Sequence, residues 1–131
     1  MAGSLTISTL KNDTGVLATQ NGMTGIAKAW VSFNGTGTVA IRDSFNVSSI
    51  TDLGTGSYTV NFTTAMPNAN YSTNVTAGFT AGSGGLVGVA NFSRQADATV
   101  APTTSAVTVS TITGGGSAVD TVYVNVSVIS S

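Results

Sequence analysis

Apolar and polar residues alternate along most of this chain with a period of two. The clearest run is Ser57–Thr64, where Tyr58, Val60 and Phe62 fall on one side and Thr59, Asn61 and Thr63 on the other. That period marks a strand with one buried face, because successive side chains leave a pleated backbone in opposite directions. Asp120–Ile129 repeats it with Val122, Val124, Val126 and Val128 on one face, as do Ala106–Ile112 and Ile26–Phe33. Weaker runs at Ser4–Ser8, Thr38–Arg42, Ser44–Val47, Ser48–Leu53, Asn70–Gly78 and Leu86–Phe92 read as further short strands. Asn34-Gly35-Thr36-Gly37, Gly54-Thr55-Gly56 and Gly114-Gly115-Gly116 offer positions that tolerate positive φ and predict turns. Gln95–Thr104, which holds Pro102, reads as a longer connection, and Lys11–Gly25 as a polar loop or arm without a period. The pattern predicts an all-β domain of about eight or nine short strands, an antiparallel β-sandwich or barrel-like fold, over residues 26–131. Residues 1–25 form the expected N-terminal arm or attachment segment.

Composition sharpens this picture. The 131 residues include 22 Thr, 16 Ser, 16 Val, 16 Gly and 10 Asn, but only four basic and five acidic side chains, all five acids being Asp. Thr and Val are β-branched and suit a pleated surface. With charge so scarce, the outer surface must be hydroxyl and amide, which repels its own copies weakly and favours association. Glu, His and Cys are absent. Imidazole and thiol chemistry and a Cys/His zinc site are thereby excluded, and four scattered basic residues offer no footprint for nucleic acid. Nothing in the sequence reads as a signal peptide or as a span of about 18 apolar residues, so synthesis in a cytosol without membrane insertion is expected.

One stretch carries more. Ala27–Val39 reads AKAWVSFNGTGTV, Ser44–Asp52 reads SFNVSSITD, and Gly54–Pro67 reads GTGSYTVNFTTAMP. This stretch, about a third of the chain, resembles a module common in tail-fibre-like and other surface proteins of tailed bacteriophages; the closing VYVNVSVI is similar to the final strand of such proteins. The resemblance implies a non-enzymatic virion structural protein, β-rich and trimeric, whose partners are its own copies, other tail or capsid proteins, and a host surface glycan. Relatives carry the module behind a long shaft, whereas here about 25 residues precede it, without heptads or repeats. A fibre tip is therefore the first expectation. The alternative is a capsid decoration protein, a head cement or head fibre, held to coat subunits by its N-terminal arm.

Several single residues have more than one use within that frame. Trp30 and Lys28 share the strand face opposite Ala29, Val31 and Phe33, so Trp30 either fills a core gap or, with Lys28, packs at an oligomer interface, where tryptophan is enriched. Sugar stacking is a third use of the same ring. Lys28 or Arg42 could pair with Asp43 or Asp52. The five aspartates lack the alternate spacing of a calcium loop, and a carboxylate pair for glycoside cleavage would have to come from Asp43 and Asp52. No cofactor and no catalytic residue is expected. Asn-x-Ser/Thr triplets recur from Asn12 to Asn125, as alternation in an Asn- and Thr-rich chain produces them, and Asn61, Asn74 and Asn125 are expected in outward amide–hydroxyl ladders. Phe79, Gly84 and Gly115 are the expected exposed loop tips.

Overall fold

The computed structural model describes residues 3–4, 6, 9–12, 15–18, 26–78, 87–92, 94–95 and 98–130. The described residues form twelve strands: β1 Thr9–Asn12, β2 Gly15–Ala18, β3 Ala27–Asn34, β4 Ala40–Phe45, β5 Val47–Gly54, β6 Ser57–Phe62, β7 Ser72–Ala77, β8 Val87–Phe92, β9 Arg94–Gln95, β10 Ala98–Thr99, β11 Ala106–Thr113 and β12 Val124–Ile129. They contain no helix. Two four-stranded antiparallel sheets, β5-β6-β11-β8 and β4-β3-β12-β7, form the body. The all-β, sandwich-like architecture is the one that the alternation predicts.

The core is what the period of two places inside. Tyr58, Val60 and Phe62 of β6 and Val107 and Val109 of β11 face Ala29, Val31 and Phe33 of β3 and Val124, Val126 and Val128 of β12; all are buried. Each fully buried Val or Phe side chain contributes about 1.5–3 kcal/mol. Phe33 and Tyr58 meet edge to face across the two sheets, with ring centroids 5.1 Å apart. A one-residue slip would exchange this set for Thr59 and Asn61 in β6, Thr108 and Ser110 in β11, Asn125 and Ser127 in β12, and Lys28, Trp30 and Ser32 in β3.

Several boundaries differ from those the pattern predicts. Thr38–Arg42 and Ser44–Val47 are not separate strands. One strand, β4, joins the end of the first to the start of the second, Val47 already belongs to β5, and the register of β4 against β3 skips Arg42. This bulge re-aims the side chain, and the Arg42 guanidinium lies over the Tyr123 ring, 4.3 Å from its centroid. The expected arm contains the β1–β2 hairpin, which among the described residues pairs with neither large sheet. β9, which begins one residue before the expected long connection, and β10 within it form a two-residue ladder. Short pairs of this kind carry too little periodicity to be read from one strand alone. The Ser4–Ser8 strand falls partly outside the described residues, and Gly3, Ser4 and Thr6 are not in a strand.

The chain changes sheets at Asn46, between β4 and β5. Asn46 has φ 55°, a left-handed conformation that Asn tolerates better than most side chains. Its amide nitrogen donates to the carbonyl oxygens of Lys28 (3.0 Å) and Thr64 (3.1 Å), and its Oδ1 accepts from the Thr64 N–H at 2.7 Å. One side chain thus fastens β3 of one sheet to the end of β6 of the other.

At the opposite end of the core a polar cluster replaces the regular ladder. The Tyr58 hydroxyl lies 2.8 Å from both the Gly35 carbonyl oxygen and Asp120 Oδ1, which share its proton. Asp120 Oδ1 also accepts from the Gly56 N–H at 2.6 Å, and the Gly35 N–H donates to the Thr121 carbonyl at 2.9 Å. These commitments explain why the last strand starts at Val124 and not at Asp120. Burial, followed by the hydrogen bond to Asp120 and its charge, pushes the Tyr58 hydroxyl well above the usual tyrosine range.

Burial likewise pushes Tyr71 up to about 12 from 10.0. Both shifts favour the neutral phenol in the folded state. Their contribution is complete below the unfolded value and disappears as pH rises through the folded one. Urea unfolding is therefore expected to give constant stability up to about pH 10 and a decline from there to about 12, with a smaller decline in Tyr71→Phe. Unchanged stability across that window would contradict the assignment.

Candidate functional site

The two sheets treat their outer faces differently. On β5-β6-β11-β8 several polar side chains bond to one another, the buried Ser57 hydroxyl being an exception among the described residues. The Asn61 amide donates to Ser49 Oγ (3.1 Å) and Thr51 Oγ1 (2.9 Å), and Thr59 and Thr108 share a bond of 3.0 Å. This is the outward ladder expected at Asn61; of the other two residues expected in such ladders, Asn125 makes only a 3.5 Å contact to Thr76 and Asn74 makes none among the described residues. On β4-β3-β12-β7 the register builds a grid instead: Trp30, Ser127 and Asn74 form one row across β3, β12 and β7, and Ser32, Asn125 and Thr76 form the next. The groups in this grid make one contact with each other, Asn125 Nδ2 to Thr76 Oγ1 at 3.5 Å. Trp30 is 38% exposed, so the indole is not core. It forms one wall of a groove of about 310 Å³ lined by these six residues together with Val31 and Val126.

A second groove, of about 570 Å³, opens at the sheet-switch corner. Ile26, Lys28, Phe45, Asn46, Met66 and Pro67 contribute to its walls. Ile26 and Phe45 are 57% and 54% exposed, unusually open for side chains of this size. Phe45 pairs with Trp30 across β3 and β4, so the corner and the grid are neighbours on one face. β4 is also an edge strand, exposed along nearly its whole length, and an unpaired edge is a template for another chain.

Of the residues singled out from sequence, Trp30 and Lys28 stand on this face, Trp30 at the groove and Lys28 at the corner. Gly115 is exposed in the turn closed by the Gly116 N–H to Thr113 carbonyl bond of 2.9 Å. Phe79 and Gly84 lie outside the described residues. Asp43 and Asp52 stand on strands of different sheets, and each accepts a nearby backbone N–H, from Ser44 at 2.8 Å and Gly54 at 2.9 Å. Among the described residues no three acidic, His or Cys side chains cluster as metal ligands, and no helix is long and apolar enough to cross a membrane.

Sequence reasoning misses Phe45 as a contact residue and Asn46 as the corner. The available signal for Asn46 is an asparagine between two apolar runs, since Asn is several-fold enriched at positive φ. Comparison with protein-family models, with curated proteins and with solved structures gives no match to this chain.

Proposed function

We propose that this chain is a non-enzymatic structural domain of a bacteriophage virion, a fibre-tip-like surface domain that oligomerises as a trimer and meets the host surface. The observation that carries the association is the exposed corner of Ile26 and Phe45 beside the open edge of β4, in a chain with four basic and five acidic residues. Apolar side chains left in water gain by meeting a second copy, and so few charges oppose the approach weakly. The phage reading rests on the resemblance of Ala27–Val39, Ser44–Asp52 and Gly54–Pro67. Lys28 belongs to this corner; its aliphatic stem can cover apolar surface while its ammonium stays wet.

Sedimentation of the full chain is expected to give three times the protomer mass of 13.0 kDa. Replacing both Ile26 and Phe45 with serine is expected to lower the assembly to monomer while unfolding stays cooperative. A stable wild-type monomer at all concentrations would overturn the association. Gold labelling of intact particles tests the location, with label at the tail tip as the expected result.

The separate β1–β2 hairpin favours a second reading, capsid decoration, in which this segment grips coat subunits. Label on the head, and capsid binding lost on deletion of residues 1–25, would select it.

A further inference from the structure

The groove beside Trp30 lies on the outer face of β3, β12 and β7, above the core residues Val31 and Val126. Its polar groups are poorly used: the Ser32 and Ser127 hydroxyls, the Asn74 amide and the Trp30 indole N–H have no hydrogen-bond partner among the described residues, and the Asn125 amide has only the 3.5 Å contact to Thr76. On the opposite sheet's outer face, built from the same residue types, Asn61, Ser49, Thr51, Thr59 and Thr108 bond to one another, although the buried Ser57 hydroxyl there has no partner among the described residues. No charged side chain lines the groove. Small Ser127 sits between Trp30 and Asn74, so the middle of the row is low and its two ends are high. A volume of about 310 Å³ is at the small end of the ~300–1,000 Å³ typical of small-molecule sites.

From these features we infer that the outer face of β3-β12-β7 is a binding site for an uncharged saccharide chain, a use that rests on the reading of this domain as surface-displayed. The chemistry matches point by point. The apolar C–H face of a pyranose packs on the indole, an apolar body with one polar tip. Each amide of Asn74 and Asn125 offers both a donor and an acceptor, and the Ser32, Ser127 and Thr76 hydroxyls do the same, which is what a sugar hydroxyl needs. A charged ligand would find no counter-charge in the lining. One such site is weak, and three copies on one particle supply the avidity.

Trp30 is the only tryptophan, so its fluorescence reports the groove directly. The full-length oligomer would be titrated with maltohexaose, cellohexaose and tri-N-acetylchitotriose, and with polysialic acid as the charged comparison. A saturable change with at least one neutral saccharide is expected, insensitive to salt and to mild changes of pH, and absent with polysialic acid.

Asn74→Ala, an exposed substitution on an edge strand, is expected to weaken binding about threefold to tenfold, the worth of one or two hydrogen bonds. Ser127→Leu, which fills the low point, is expected to abolish it. Ser49→Ala, on the other sheet, is expected to leave it unchanged.

No saturable change with any neutral saccharide, a change unaffected by Asn74→Ala, or preference for polysialic acid would each overturn the assignment. So would protection of Trp30 from acrylamide in the oligomer, since a second copy would then occupy the face. Any of these with the protein still located on particles defeats the groove alone, whereas absence from particles defeats the virion reading.

Discussion

Gly56→Ala is expected to cost about 2–5 kcal/mol, a large part of the ~5–15 kcal/mol that holds a typical domain together. Two effects add. Gly56 has φ 64°, where an L side chain is strained by about 1–2 kcal/mol. A Cβ there would also lie 2.5 Å from the Thr111 carbonyl oxygen and 2.7 Å from the Val119 nitrogen, both backbone atoms that cannot swing aside. The crowding falls where Gly56 holds β11 in place: its carbonyl accepts the Thr111 N–H and its own N–H meets Asp120.

Gly37→Ala is the internal comparison. Its φ is 61°, but nothing stands within 4 Å of the added carbon, so only the backbone strain remains. Urea midpoints for the two variants separate the effects. Equal losses would mean that crowding around Gly56 contributes nothing.

The second large effect is expected at the sheet switch. Asn46→Ala removes three hydrogen bonds to backbone groups, each worth about 0.5–1.5 kcal/mol, and places a residue less tolerant of positive φ in the corner. The expected loss is about 2–4 kcal/mol. Asn46→Gly relieves the φ strain without restoring the bonds, so it should recover part of the loss. Asn46→Asp keeps the acceptor for the Thr64 N–H but sets a carboxylate against the carbonyls of Lys28 and Thr64, and it should be as damaging as alanine. Thermal unfolding of the three variants checks the order. Alanine no worse than glycine would remove φ from the explanation, and three neutral variants would remove the corner itself. Because Asn46 and Phe45 adjoin, the same variants are expected to weaken assembly.

Much of the interior is legible in the residue pattern. The side-chain direction of a strand is a local property, so the alternation in Ser57–Thr64 is enough to put Tyr58, Val60 and Phe62 together, and the valines of the last strand likewise. Turn positions with positive φ follow from glycine for the same local reason, as at Gly37, Gly54, Gly56 and Gly116. The amide–hydroxyl ladder at Asn61 is legible because its partners recur at the same period.

The candidate surface is only half legible. Alternation puts Trp30 opposite Ala29 and Val31, but whether that face is covered depends on what packs over it. The grid around Trp30 exists because β12 stands between β3 and β7, strands far apart in sequence, with a register that aligns Ser127 and Asn74 beside the indole. The exposure of Phe45 depends on β4 being an edge strand. No single-strand pattern contains that information.

The order of residues along the chain thus sets the strand-forming segments, their inward faces, most turns and the absence of imidazole, thiol and glutamate chemistry. The sheet order, the change of sheet at Asn46, the gathering of Asp120, Tyr58, Gly35 and Gly56 into one polar cluster, and the two outward grooves arise only when the strands assemble in space. The division has one physical cause. A residue's direction is set by its own backbone within a few ångströms, whereas its neighbours across a sheet are set by long-range pairing, which depends on every strand finding its partner.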